Sequence, residues 1–241
     1  MVVQLKTSTM VSPSFLLWII VILVPVTLIT TYTMTDKLHP DPQTIPFISS
    51  SINNAPESCI GSYGLSITSF IMVIVSLIKY LIIKDNIINY EGEINQESKM
   101  KFNKFIASMG IISGFSLNGV ASFQYKNASV PHLIFAGLFF ICGFIFILTQ
   151  TIIDDQISKN PNRIKNIRKI LILICCLFVP YVILQFMENP IAKNISAIFE
   201  ITSASCIFIY MVSFFFEFSK VSLNIEFSDH NRNSFSRIES R

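Results

Sequence analysis

Six long apolar blocks constrain this chain more than any other feature of its sequence. A bilayer core of about 30 Å requires roughly 20 mainly apolar residues in a helix that rises about 1.5 Å per residue. The blocks are continuously apolar rather than alternating, which favours helices over the strands of a barrel. The sequence therefore predicts an all-α polytopic membrane protein with six transmembrane helices in one bundle, spanning approximately residues 15–33, 60–80, 105–123, 132–153, 170–186 and 197–218.

The composition agrees with lipid as the main solvent. Charged residues make up 14% of the chain, whereas a soluble domain carries about a quarter. We predict one transmembrane domain over residues 1–221. Residues 222–241 are rich in Asn, Ser and charge, which predicts a disordered cytoplasmic tail.

The basic residues predict the orientation of the bundle. Of the 18 Lys and Arg residues, fifteen lie before the first block, in the second and fourth connections with the adjoining block ends, or in the tail. The other three are Lys37, Lys126 and Lys193. Because Lys and Arg accumulate in cytoplasmic loops, both termini are predicted to be cytoplasmic. The two glycosylation sequons, at Asn127 and Asn194, then fall on the opposite side, and the sequence leaves open whether either is modified.

Five ionisable residues mark a candidate cluster on the non-cytoplasmic rim. An ionisable group within or beside a membrane span is costly, which makes each one a functional hypothesis. Each also has a structural interpretation, such as interfacial anchoring or, for Glu57, complementing the helix dipole. The luminal cluster comprises His39, Asp41, Glu57, His132 and Glu200.

No catalytic signature accompanies this cluster. The chain contains no HExxH, GxSxG or phosphate-binding glycine loop, so neither a metal nor a cofactor is expected and enzymatic activity is not indicated. The basic segments lack the interleaved aromatic residues of a nucleic-acid surface. Membrane lipids, and membrane proteins, are the expected partners.

The third block is predicted to pack closely against its neighbours. Gly110 and Gly114 form a GxxxG motif, which lets helix backbones approach each other. We favour packing within the bundle over a dimer interface. Pro180 is predicted to kink the fifth span.

The residues between and within the blocks resemble the DRAM (damage-regulated autophagy modulator) family of six-span membrane proteins, over approximately residues 15–227. That family lies within a wider group that includes proteins of GPI-anchor lipid remodelling. The resemblance is carried by His39-Pro40-Asp41-Pro42, Ile45-Pro46-Phe47-Ile48-Ser49 and Pro56-Glu57-Ser58 in the first loop, Ala121-Ser122-Phe123-Gln124, His132 with Cys142-Gly143 and Gln150, Ser196-Ala197-Ile198-Phe199-Glu200, and Glu217-Phe218-Ser219-Lys220-Val221.

The resemblance implies a non-enzymatic multi-pass protein of lysosomal or other endomembranes that modulates autophagy, with the plasma membrane as the alternative location. A second hypothesis is a lipid-remodelling or lipid- and proton-handling protein that uses the luminal His and carboxylate groups. A Glu200 side chain that faces the bundle interior near His132 or His39 would favour the second hypothesis, and a lipid-facing Glu200 would favour the first.

Overall fold

The computed structural model describes residues 9–39, 45–90, 93–157 and 160–225. Six helical spans in this part of the chain are long and apolar enough to cross a membrane, so the predicted all-α polytopic fold is confirmed. The helices are α1 (Ser14–Leu38), α2 (Glu57–Tyr90), α3 (Glu93–Ser122), α4 (Ser129–Ile157), α5 (Asn162–Cys175), α6 (Phe178–Leu184), α7 (Pro190–Val212) and α8 (Phe215–Phe218).

Two of the six spans are each built from two consecutive helices. The fifth span is interrupted after Cys175 and resumes at Phe178, close to Pro180. Proline has no N–H to donate and its ring clashes with the preceding turn, so the interruption lies where Pro180 was predicted to kink the span. The sixth span combines α7 with the short α8.

Both ends of the described chain lie at the same end of the bundle. Strand β1 (Thr9–Val11) pairs antiparallel with strand β2 (Leu223–Ile225), so the chain after the sixth span lies against the segment before α1. Residues 226–241 lie outside the described residues. We call the end with this strand pair the terminal face, and the opposite end, which carries the connections 45–56, 123–128 and 185–189, the loop face.

Helix α3 packs against both α2 and α4, and its glycines lie at these contacts. A Cβ atom added at Gly110 would be 2.6 Å from Ser76 Oγ on α2 and 2.9 Å from Phe146 on α4. At Gly114 it would be 2.8 Å from Val73 Cγ2 and 3.3 Å from backbone atoms of α2. The small residues therefore allow the backbones of α2 and α3 to approach closely.

We expect Gly114→Leu to destabilise the bundle by about 1–3 kcal/mol, the usual cost of overpacking a close interface. Backbone atoms of α2 cannot move aside as a flexible side chain would. Gly137→Leu is the matched control, because no atom lies within 4 Å of a Cβ placed at Gly137. Thermal unfolding in detergent measures the stability of both variants. Equal stability of the two variants would show that Gly114 faces lipid.

The connection between α1 and α2 folds back into the bundle. We call residues 45–56 the capping segment; it contains a 3-10 turn, Ser50–Ile52. Ile48, Ser51 and Ile52 are buried. Ser51 Oγ donates to the Ile48 carbonyl at 2.8 Å, and Thr35 Oγ1 on α1 donates to the Ser51 carbonyl at 3.2 Å. The capping segment is thus fixed to α1 and covers the loop-face end of the bundle.

Candidate functional site at the loop face

The Glu200 carboxylate lies inside the bundle, directly below the capping segment. Its side chain is only 5% exposed. The backbone N–H of Ile48 donates to Glu200 Oε2 at 2.7 Å, and the Tyr181 hydroxyl lies 3.5 Å from Oε1. Glu200 therefore faces the bundle interior and joins α7 to both the capping segment and α6.

Glu200 is deeper in its helix than the apolar block suggests, because α7 begins at Pro190 and not near residue 197. Asn189 caps the helix by accepting the Ile191 N–H at 2.8 Å, and proline suits the first helical position. Ten residues separate Pro190 from Glu200, which places the carboxylate about 15 Å along the helix. Glu200 therefore lies about three turns from the N-terminal end of α7.

His132 shares a small internal cavity with Glu200. The cavity holds about 30 Å³ and is lined mainly by apolar side chains, together with Glu200, His132 and Ser49. A water needs about 10–15 Å³ of such space, so the cavity has room for about two. His132 Nδ1 lies 2.6 Å from the Phe123 carbonyl. Because a carbonyl only accepts, Nδ1 carries a proton and donates it to this hydrogen bond.

His39 and Glu57 form a second contact on the same face. His39 Nε2 is 3.5 Å from Glu57 Oε1. Glu57 is buried at the first residue of α2, and within the part of the chain that the structure describes neither of its oxygens accepts a hydrogen bond. A carboxylate at this position complements the positive end of the helix dipole. Asp41, the fifth residue of the predicted cluster, lies outside the described residues.

An open cleft of about 610 Å³ lies at the loop face. His39 and His132 both line it, and so do Lys126 and Lys193, two of the three lysines predicted for this side. Among the described residues that line the cleft, Asp36 is the only acidic side chain. The cleft therefore carries an excess of basic groups, whereas Glu57 and Glu200 are buried.

A second group of ionisable side chains is buried near the terminal face. We call Lys79, Asp154, Arg168 and Glu217 the terminal-face charge cluster. Lys79 Nζ is 2.9 Å from both Asp154 Oδ1 and Glu217 Oε1. The Arg168 guanidinium lies 2.8 Å from Asp154 Oδ2 and 2.9 Å from Glu217 Oε2. Two positive and two negative groups from α2, α4, α5 and α8 thus neutralise each other.

Neutral groups complete the hydrogen bonding of this cluster. Gln150 donates to Asp154 at 3.1 Å, Asn160 donates to Glu217 at 2.7 Å, and Arg168 Nε donates to Ser213 Oγ at 2.8 Å. The rings of Tyr210 and Phe214 lie against the guanidinium, 5.5 and 5.1 Å from its central carbon. A buried charge is tolerated where an opposite charge pairs with it and other groups complete its hydrogen bonds.

The charge cluster was missed at the level of sequence, where Lys79 and Arg168 count among the basic residues of the cytoplasmic connections. The structure buries both completely and pairs them with carboxylates. A usable signal was present, because Lys79 and Glu217 lie inside predicted apolar blocks and Asp154 directly follows one. Ionisable residues of both signs at the same end of several spans indicate pairing within the bundle.

Among the described residues, no group of three or more His, Cys, Asp or Glu side chains is placed to hold a metal ion. The loop-face groups form separate contacts: His39 lies beside Glu57, and Glu200 accepts a hydrogen bond from the capping segment. His132 lines the small cavity beside Glu200. Chemically, this arrangement can bind an anion in the basic cleft or hold a proton on the buried Glu200 and His132.

Comparisons with known proteins agree with the fold. Human "DNA damage-regulated autophagy modulator protein 1" is 26% identical over 196 residues, covering 75% of this chain and 80% of that protein. Mouse "DNA damage-regulated autophagy modulator protein 2" is 24% identical over 242 aligned positions, covering 90% and 88%. "Transmembrane protein 150A" of Xenopus laevis is 26% identical over 183 residues, covering 74% and 63%.

No solved structure matches the chain. The family model described as "Frag1/DRAM/Sfk1/Cwh43P N-terminal domain" matches residues 13–221. That range contains all six membrane spans, the capping segment and both buried groups of ionisable residues. The predicted resemblance is therefore confirmed, and this multi-pass membrane protein belongs to the Frag1/DRAM/Sfk1 family.

Proposed function

We propose that this protein modulates autophagy from a lysosomal or other endomembrane, without an enzymatic activity of its own. The observation that carries the proposal is the similarity, over most of the chain, to relatives that are named autophagy modulators. The capping segment, which Glu200 holds from below, provides a loop-face surface through which such a protein could act on lipids or membrane partners. The plasma membrane is the alternative location.

Removal of the protein tests this proposal. In cells that express it, we expect its loss to lower autophagic flux, measured as the lysosomal turnover of an autophagosome marker with and without a lysosomal inhibitor. Re-expression of the wild-type chain should restore the flux. Unchanged flux in cells shown to lack the protein would contradict the proposal.

A second candidate function is lipid or proton handling at the loop face. It is favoured by one specific observation, the burial of Glu200 towards the bundle interior beside the cavity that His132 lines. The basic cleft above supplies groups that would bind a phosphate-bearing head group. This candidate is compatible with the first, because a lipid-handling activity in an endomembrane would itself affect autophagy.

Short-chain phosphatidylinositol, which is soluble, tests the second candidate. We expect it to raise the thermal unfolding temperature of the purified protein, and the double variant Lys126→Gln, Lys193→Gln to lose that shift because both cleft lysines are gone. The control double variant Lys101→Gln, Lys104→Gln removes the same charge from exposed positions of α3. It should retain the shift in unfolding temperature. No shift for the wild type would exclude this ligand class.

We also propose that the terminal face is cytoplasmic, because the basic connections and the tail lie there. A cysteine at Asn127, exposed on the loop face, should react with a membrane-impermeant maleimide only from the non-cytoplasmic side, and one at Asn162, exposed at the start of α5, only after permeabilisation. The native exposed Cys59 and Cys176 are first replaced by serine. The reverse labelling pattern would show that the terminal face is non-cytoplasmic.

A further inference from the structure

A lateral groove opens between α1, α5 and the end of the sixth span, near the terminal face. It has a volume of about 350 Å³, within the range of roughly 300–1,000 Å³ that is usual for ligand pockets. Its lining is apolar apart from one serine, and consists of Leu17, Trp18, Val21, Ile164, Ile167, Ile209, Val212, Ser213, Phe215 and Phe216. A groove of this composition on a membrane-spanning surface fits an acyl chain.

Two basic residues lie on the same helix faces as the groove lining, one turn nearer the terminal face. Arg163 precedes Ile167 by four residues on α5, which places both on one side of the helix with Arg163 nearer the terminal face. Lys220 follows Phe216 by four residues, across helical turns that continue from α8. Both side chains are exposed. The groove thus has an apolar body with positive charge at its terminal-face end.

These two charges are available to a ligand. Within the described ranges 9–39, 45–90, 93–157 and 160–225, neither Arg163 nor Lys220 forms an ion pair. Glu217, the acidic residue of the neighbouring turn, is already paired with Lys79 and Arg168. Asp155 is paired with Lys165 and Lys169. Of the described carboxylates, Glu217 and Asp155 therefore do not neutralise the positive end of the groove.

We propose that this groove binds an anionic glycerophospholipid, with one acyl chain against Trp18 and Ile209 and the head group between Arg163 and Lys220. Phosphate oxygens accept hydrogen bonds from Lys and Arg, and each basic residue near a membrane surface favours anionic lipid by about 1 kcal/mol, which is about fivefold in affinity. The site is on the face opposite to the basic cleft and is independent of the proposed function.

Trp18 is a built-in reporter for this site, since it is the only tryptophan in the chain. It is 56% exposed in the groove and packs edge-on against Phe215, with ring centroids 5.8 Å apart. Bromine atoms on an acyl chain quench tryptophan fluorescence only at short range. Quenching of Trp18 by a brominated lipid therefore measures occupancy of the groove.

The experiment uses the full chain in phosphatidylcholine vesicles that contain a low, equal fraction of brominated phosphatidylserine or brominated phosphatidylcholine. We expect the serine lipid to associate with the Trp18 site at least about fivefold more strongly, from the contribution per basic residue. High salt should weaken this preference. The double variant Arg163→Gln, Lys220→Gln should abolish it. Lys101→Gln with Lys104→Gln, which removes equal charge from α3, should leave it intact.

A relocated reporter separates a site from general attraction to the terminal face. In the variant Trp18→Phe, Phe105→Trp, Lys101→Gln, Lys104→Gln the only tryptophan lies at an exposed position of α3 without its two neighbouring lysines, and we expect both brominated lipids to quench it equally. The same anionic preference at residue 105 would overturn the proposal. So would quenching of Trp18 by neither lipid, which would show that another segment, a second copy or another protein covers the groove.

Discussion

Arg168→Met is expected to destabilise the protein by about 3–5 kcal/mol, the cost of removing one partner from a buried ion pair. The guanidinium contacts Asp154 and Glu217 and donates to Ser213, and it is 1% exposed. Without it, two buried carboxylates are left with a single cation, Lys79. Thermal unfolding in detergent should show a large loss of stability, and abundance in cells should fall.

Two comparisons assign this loss to the charge cluster. Lys169→Met also removes a cation from α5, but Lys169 forms only a surface pair with Asp155, so its cost should be about 0–1 kcal/mol. The double variant Arg168→Met, Glu217→Gln removes one charge of each sign and leaves the Lys79–Asp154 pair. It should be more stable than Arg168→Met alone. A double variant that is less stable would show that charge balance is not the cause.

Glu200→Leu is expected to release the capping segment from the bundle. The change leaves the buried N–H of Ile48 without its acceptor, which costs about 1–3 kcal/mol. Glu200→Gln keeps an acceptor oxygen and should retain most of the stability. Hydrogen exchange over residues 45–56 measures the effect, and we expect it to accelerate strongly in the leucine variant only.

Glu188→Leu is the matched control, because Glu188 is an exposed carboxylate on the same face. It should change neither the unfolding temperature nor the exchange of the capping segment. Exchange in Glu200→Leu that equals the wild type would mean that apolar contacts of Ile48 and Ile52 hold the segment without the carboxylate.

Features repeated along the chain could be predicted from its sequence. An apolar block indicates a membrane span because each of its residues contributes separately to the free energy of insertion into lipid. The six spans therefore follow directly from the six blocks. The helix bounds are harder, because a helix continues into polar residues where capping favours it. The Asn189-Pro190 cap extends α7 beyond its apolar block, so that Glu200 lies about three turns from the helix end. That signal is present in the sequence, but hydropathy does not contain it.

The pairing of distant side chains could not be predicted in the same way. Lys79 and Glu217 are 138 residues apart, and nothing local distinguishes a lysine that pairs inside the bundle from one that extends to the interface. The loop-face residues were easier to single out, because ionisable groups beside apolar blocks are rare. Their division into separate contacts depends on the path of the capping segment, which inserts Ile48 above Glu200.

Autophagic flux in cells that lack the endogenous protein tests the central claim, that the chain modulates autophagy through its loop face. Wild-type protein should restore flux. Glu200→Gln, expressed at the same abundance and in the same compartment, should fail to restore it, because the shape is kept and only the ionisable group is lost. Full restoration by Glu200→Gln combined with His132→Ala would contradict the account and leave both residues with a structural role alone.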